Sequence, residues 1–312
     1  AGKKFGLRAF ADNFDDDEIA VAVNYAHKHG VKVYVTLNTL VFDREIPLLA
    51  KAIENCAKAD VDAFIVQDMG VARLARQIVP ELPLHASTQM TVNSPEGAIM
   101  AKELGFTRVV LGRELSLAQI KAITESCDIE TELFVHGALC VCISGQCYMS
   151  SVLGGRSGNR GLCAQPCRLD FTSGDRHNVL SLKDLSLTEK LPELAKAGIT
   201  SFKIEGRMKR PEYVAGAVNA CRVALDGGTP DLISLKNVFS RSGFTSGYFD
   251  DDFKNMQGIR TKDDVTSATS KVLSAMKQYY HKPFRRFPAD ITVNVKSGQP
   301  VCYKLSACGG IS

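Results

Sequence analysis

No run of about 18 apolar residues occurs in this chain, and no secretory apolar segment stands near its start. Nothing in it therefore points to a membrane span or to export. Low-complexity tracts and long blocks of one charge are also missing. So are the nucleophile elbow GxSxG, the P-loop, the dinucleotide fingerprint GxGxxG and the zinc-peptidase HExxH, which removes the usual sequence marks of those chemistries. From Cys140 to Leu169 there is no Asp or Glu, although Arg156, Arg160 and Arg168 lie there. The formal net charge of +4 permits an anionic substrate but does not by itself argue for nucleic acid.

Into that acid-free stretch the chain gathers Cys140, Cys142, Cys147, Cys163 and Cys167, half of its ten cysteines. The missing export signals lead us to expect a cytoplasmic, reducing setting, where clustered cysteines serve metals or catalysis more often than disulfides. Structural zinc favours close pairs such as CxxC. Here six residues separate Cys140 from Cys147, fifteen separate Cys147 from Cys163 and three separate Cys163 from Cys167, with Cys142 left over. A CxxxCxxC triplet of the radical type is absent. Thiolates in a Gly-rich cationic loop suit an iron–sulfur cluster, because iron prefers sulfur and the cluster's negative charge is stabilised by Arg and backbone N–H groups. Zinc and free or redox-active thiols stay open as alternatives. Cys56, Cys127 and Cys221 fall in helix-like stretches and read as small buried hydrophobes.

Apolar content of 45% over 312 residues is enough for the core of one α/β barrel with an appendage. Apolar β-branched runs at 30–38, 61–68, 82–89, 107–115, 130–139 and 199–207 predict strands, and helical periodicity follows most of them. Near-continuous apolar strands alternating with helices predict a parallel sheet covered on both faces. The expected architecture is a TIM-like (β/α)8 barrel over residues 1–282 that lacks its first strand and helix, with a doubly wound open sheet as the alternative. The Cys-rich loop 140–168 and the strand-like 178–185 would form an insertion before the last strand. Residues 263–281 read as helix, and the alternation from residue 284 predicts a β-hairpin that opens a β-rich domain over 283–312.

In a barrel the chemistry gathers at the C-terminal ends of the strands. Those ends carry Asn38, Asp68, Gln89, Arg113, His136, Glu205 and Arg207, all polar and each following an apolar run. A shared pocket explains them together. Taken singly, Asp68 as a helix cap and Arg113–Glu205 as a structural ion pair are competing readings. His136 precedes Cys140 by four residues, which ties it to the cysteine loop. The Gly-rich segment 154–161 offers N–H groups with Arg156 and Arg160 as an anion cradle, or else a flexible lid.

The segments 132–168 (ELFVHGALCVCISGQCYMSS to NRGLCAQPCR), 180–185, 202–214 (FKIEGRMKRPEYV) and 239–249 (FSRSGFTSGYF) closely resemble peptidase family U32, as do 5–14 and 85–94 upstream. The resemblance spans about residues 1–282, and the cysteine signature is most similar to the branch that makes 5-hydroxycytidine in 23S ribosomal RNA. It implies an oxygen-independent RNA hydroxylase, acting at C5 of a ribosomal cytidine or a tRNA uridine. It further implies a [4Fe–4S] cluster on Cys140, Cys147, Cys163 and, as the fourth ligand, whose position varies among relatives, Cys167, with prephenate or a similar dicarboxylate as hydroxyl donor. On that reading Arg113, Arg207 and Asn38 hold the donor, with His136, Glu205, Gln89 and Asp68 as the catalytic set. Arg156, Arg160, Lys209 and Arg210 would meet RNA phosphates. The family name implies a collagenase-like protease instead. That needs an activated nucleophile, and a Cys140–His136 dyad is the conceivable one. A non-catalytic RNA-binding protein is the third reading.

Overall fold

In a computed structural model, which describes residues 5–6, 13–206, 209–281, 289–298 and 300–307, the apolar runs become the strands of one sheet. The described fold starts with helix α1 (Asp16–Lys28), which the apolar periodicity did not predict. Its start is fixed by a capping box in which Asp15 and Glu18 each accept the other's backbone N–H, at 2.9 and 2.8 Å. Regular alternation follows: β1 (Tyr34–Leu37), α2 (Ile46–Lys58), β2 (Ala63–Val66), α3 (Met69–Ile78), β3 (Leu84–Ala86), α4 (Pro95–Glu103), β4 (Arg108–Val110), α5 (Leu117–Ser126) and β5 (Glu130–Gly137). The helices dock through spaced apolar positions, as α2 does through Leu49, Ile53 and Cys56.

After β5 comes the cysteine loop, which holds the short helix α6 (Met149–Gly154). Next are β6 (Asp184–Ser186), α7 (Leu191–Lys196), β7 (Ser201–Ile204), α8 (Pro211–Leu225), α9 (Leu232–Val238), β8 (Phe244–Thr245), α10 (Gly247–Asp250), α11 (Lys262–Thr266) and α12 (Ser270–His281). The predicted hairpin is present as β9 (Ala289–Asn294) and β10 (Cys302–Ala307), antiparallel partners in a sheet of their own. No described helix is long and apolar enough to cross a membrane.

β1 to β5 pair in parallel and in chain order, and β7 continues the parallel run on β5. β6 departs from the expected all-parallel barrel. It pairs antiparallel with the end of β5, through His136–Ser186 and Gly137–Leu185, and carries β8 beside it. Among the described residues the sheet does not close into a ring. It is a mostly parallel α/β sheet with barrel-like strand order.

Two features of its interior shape the site. Glu132 is buried and accepts Ser201 Oγ at 2.8 Å and Arg108 Nη1 at 3.3 Å, and it pairs with Lys203 Nζ. This network fixes three neighbouring strands with charges rather than apolar contact. Beyond it, β5 shifts register against β7 between Phe134 and His136. The bulge re-aims the strand end, a common use of one extra residue. His136 is then 1% exposed and packs on Tyr213 of α8 and Phe244 of β8, with ring centroids 5.5 and 5.0 Å away.

Burial holds the imidazoles of His136 and His85 down to about 4, with the charge of Lys209 adding to the first and that of Arg108 to the second. Both rings are therefore neutral in the fold at neutral pH. As pH falls from about 6.5 to 4, the unfolded chain gains protons that the folded chain refuses. Stability should therefore fall across that window, by up to about 3 kcal/mol per histidine. Urea midpoints at pH 7, 5.5 and 4 measure this. His136→Leu should flatten the slope, and equal midpoints for the parent chain at pH 7 and 5 would contradict it.

Candidate functional site

The acid-free loop is held over the strand ends by carboxylates and carbonyls of the sheet's own connections. Ser144 donates its N–H and hydroxyl to Glu114, at 3.0 and 2.8 Å. Thr91, past the end of β3, donates to the Ser144 carbonyl at 2.8 Å and accepts from Gln146 at 2.9 Å. Between them Gly145 has φ +81°, and a Cβ there would stand 2.5 Å from the Gln89 carbonyl oxygen. Arg160 makes a bidentate pair with Glu45, at 2.6 and 3.0 Å, and donates to the Leu40 carbonyl at 2.7 Å. That hydrogen-bonded pair holds the Glu45 carboxyl down to about 2. Arg168 donates to the carbonyls of Leu182 and Leu139, at 2.5 and 2.7 Å.

The loop and the strand ends enclose a cavity of about 190 Å³. It brings together Asn38, Gln89, Arg113 and Glu205 with Cys140, Cys147, Cys163 and Cys167, which are eight of the residues singled out from sequence. Arg113 is the hub of the polar wall. Its guanidinium lies 3.7 Å from the Phe134 ring centroid, 3.3 Å from Glu205 Oε2 and 3.9 Å from Cys140 Sγ. The Arg113–Glu205 ion pair thus exists and also faces the cavity, so the structural and pocket readings coincide. Asn38 donates to Ser87 Oγ at 3.2 Å. Lys203, Thr36 and Ser87 line the cavity too and escaped the strand-end rule. Lys203 was visible as a lone cation inside the apolar run 199–204.

Other predicted residues lie elsewhere. Asp68 caps α3: its Oδ1 accepts Gly70 N–H at 2.7 Å and Val71 N–H at 3.3 Å, and its Oδ2 accepts Val41 N–H at 3.2 Å. The capping reading accounts for it, and it does not line the cavity. His136 is turned away by the bulge, and among the described residues neither of its nitrogens has a hydrogen-bond partner, so it forms no dyad with Cys140. Arg160 is a strut, and Arg156 donates its Nε to the Leu162 carbonyl at 3.1 Å; neither lines the cavity. Arg207 lies outside the described residues.

The donor chemistry of the cysteine set fits an iron–sulfur cluster. All the described cysteines are free thiols, and Cys142 lines the same cavity as the other four of the loop. Gln165 N–H donates to Cys163 Sγ at 3.3 Å, the kind of contact that tunes a bound cluster. Burial raises the Cys142 thiol, and Cys147 and Cys140 raise it further. Burial raises Cys167 as well; Arg168 opposes this, while Cys140, Cys163 and Cys147 add to it. The thiols are thus near enough to feel one another's charge. Their present side-chain positions are not yet those of ligands: among the described residues no three His, Cys, Asp or Glu are grouped to hold a metal ion.

The profile of peptidase family U32 matches residues 1–257. The chain belongs to this family. It is 45% identical over 258 residues to an Escherichia coli protein named as a 23S rRNA 5-hydroxycytidine synthase, covering 80% of this chain and 38% of that protein. It is 38% identical over 244 residues to a Bacillus subtilis tRNA hydroxylation protein, covering 74% of this chain and 58% of that one. A Methanocaldococcus jannaschii protein named as an uncharacterized protease is 39% identical over 279 residues, covering 81% and 68%. The U32 chain therefore spans less than two thirds of the first two relatives.

Three substitutions separate the loop's anchoring from the helix cap. Gly145→Ala meets both a left-handed φ and the Gln89 carbonyl, and should cost about 1–3 kcal/mol and loosen the loop. Faster alkylation of Cys142 and Cys147, read by mass spectrometry, checks it. Gly155→Ala, at φ +64° with nothing within 4 Å of its Cβ, should leave alkylation rates unchanged. Asp68→Ala should cost about 1 kcal/mol in denaturant titrations and leave those alkylation rates unchanged.

Proposed function

We propose that this U32 chain is the catalytic part of an iron–sulfur-dependent, oxygen-independent RNA hydroxylase that modifies C5 of a pyrimidine in ribosomal RNA or tRNA. The observation that carries the proposal is the convergence of the loop cysteines with Arg113, Lys203 and Glu205 on one cavity at the strand ends. The relatives named for RNA hydroxylation support the substrate class. Cys140, Cys147, Cys163 and Cys167 would hold a [4Fe–4S] cluster, which supplies redox or Lewis-acid chemistry when bound. Arg113 would bind one carboxylate of a small dicarboxylate donor such as prephenate. The guanidinium already holds the Glu205 carboxylate at 3.3 Å, so a donor carboxylate would compete with Glu205 or share its partner. Asn38 and Gln89 would orient the bound molecule by hydrogen bonds, and the loop anchored on Glu45 and Glu114 would keep water from it.

A protease reading gains no support from the geometry, because His136 makes no contact with Cys140 and is buried among aromatic rings. Relatives named as proteases keep it as an outcome to be tested.

Metal analysis of anaerobically prepared protein should find about four iron and four sulfide per chain. Cys147→Ser and Cys163→Ser should lose them. Stoichiometric zinc, or metal-free protein, would overturn the cofactor assignment. Cells lacking the gene should lose 5-hydroxycytidine or 5-hydroxyuridine from total RNA, as read by nucleoside mass spectrometry. The parent gene should restore the nucleoside and the Cys147→Ser gene should not. Unchanged nucleosides together with cluster-independent hydrolysis of gelatin would establish the peptidase instead.

A further inference from the structure

On the other side of β5, the residue that the bulge turns away belongs to a second polar group. Three cations converge on the ring of Phe239: Lys209 Nζ lies 2.8 Å from its centroid, Arg260 Cζ 4.2 Å and Arg241 Cζ 5.4 Å. Asp184, fully buried, is the carboxylate among them, and its Oδ1 takes Arg241 Nη1. Glu205 is also near, but its Oε2 is paired with Arg113 at 3.3 Å. Arg168 feels Asp184 too, yet its terminal nitrogens are taken up by the carbonyls of Leu139 and Leu182 and by Ser181. The group therefore carries more positive than negative charge in a partly dehydrated place. Cation–π contact stabilises one such charge over a ring, but it does not offset the mutual repulsion of several.

Polar atoms with nothing to bind lie in the same place. Tyr213 and His136 are each 1% exposed, and among the described residues the Tyr213 hydroxyl and both His136 nitrogens lack a hydrogen-bond partner. Lys209 Nζ stands 5.5 Å from the Tyr213 ring and makes no hydrogen bond or ion pair among the described residues. A buried hydroxyl or imidazole N–H left unmade costs about 1–3 kcal/mol. Apart from Asp184 Oδ2, each unpartnered group here can donate: an O–H, an imidazole N–H and an ammonium. Burial, and then the charges of Arg241 and Arg260, push the Lys209 ammonium down to about 7, while Asp184 and Glu205 act to raise it. A surplus of donors and of positive charge is complemented by one kind of ligand.

We propose that Lys209, Arg241 and Arg260, gathered on Phe239 with Tyr213 and His136, bind a small oxyanion, a carboxylate or a phosphate, at a site separate from the cysteine-lined cavity. Guanidinium groups match either anion in bidentate geometry, and the Tyr213 hydroxyl and His136 N–H supply neutral donors. Glu205 lines the cavity and is felt by both Lys209 and Tyr213, so the two sites share a wall. The inference does not depend on RNA hydroxylation or on a cluster.

Calorimetric titration of the full chain with inorganic phosphate and, separately, with malonate tests it and distinguishes the two sources. At least one should bind with a Kd of about 1 mM or tighter, and Arg260→Gln, at an exposed position, should weaken it about tenfold. Tyr213→Phe should weaken binding several-fold while raising the ligand-free melting temperature, because it removes an unsatisfied buried hydroxyl without changing shape. Arg113→Gln, in the cavity proposed to take a dicarboxylate, should leave phosphate binding unchanged. The proposal is overturned if neither anion binds up to about 50 mM. It is equally overturned if Arg260→Gln and Tyr213→Phe bind as the parent does, or if Arg113→Gln alone abolishes phosphate binding.

Discussion

A loop of thirty residues without one carboxylate has to find its counter-charges and acceptors elsewhere, and that requirement organises the site. Its arginines reach back to the sheet: Arg160 to Glu45 and Leu40, Arg168 to Leu139 and Leu182. Its tight turn at Gly145 is pinned by Glu114 through Ser144 and by Thr91. Charged bidentate bonds of this kind are shorter and stronger than neutral ones, so they can hold irregular backbone that has little apolar contact of its own. The cysteines are consequently held over the strand ends, where Arg113 and Glu205 wait. The same logic changes the meaning of the loop's positive charge. Arg160 and Arg168 anchor the loop before they can serve any ligand.

The cavity's own charges are likewise paired beforehand. Lys203 and Arg108 share Glu132, and Arg113 shares Glu205. Burying these ions without partners would cost several kcal/mol each. With partners they give a polar floor and wall whose positive groups stay put when the cavity is empty. Of these, the Arg113–Glu205 contact at 3.3 Å is long for a charged pair, which leaves the guanidinium open to a second acceptor.

Much of this was legible in the chain. The strands expected at 30–38, 61–68, 82–89, 107–115, 130–139 and 199–207 all form, because each is an apolar run bounded by turn or capping residues. The rule that polar residues at strand ends share a pocket held for Asn38, Gln89, Arg113 and Glu205, since all terminate parallel strands of one sheet. It failed for Asp68, where proximity to the next helix start made capping decisive. α1 was missed because periodicity is weak in an acidic segment, although the Asp15–Glu18 capping box was there to be read. β6 looked like an ordinary strand, but a segment that returns from a long loop onto the end of β5 meets it antiparallel. No pattern in sequence announces a bulge, so the direction of His136 was not legible at all.

That bulge has the widest consequence. With regular alternation from Phe134, which lines the cavity, His136 would share its face and stand beside the cysteine loop. One register shift sends it instead to Tyr213 and Phe244, in the company of Lys209 and Asp184. The strand therefore divides its polar groups between two places. On one side are thiols with Arg113 and no imidazole, an arrangement suited to binding a metal centre and a charged molecule but not to activating a Cys nucleophile. On the other is a neutral imidazole among cations, held neutral by burial and unable to serve as a base to anything in the cavity. Glu205, hydrogen-bonded through its N–H to the His136 carbonyl at 2.8 Å, stands between them, so a change of charge on either side reaches the other through one carboxylate.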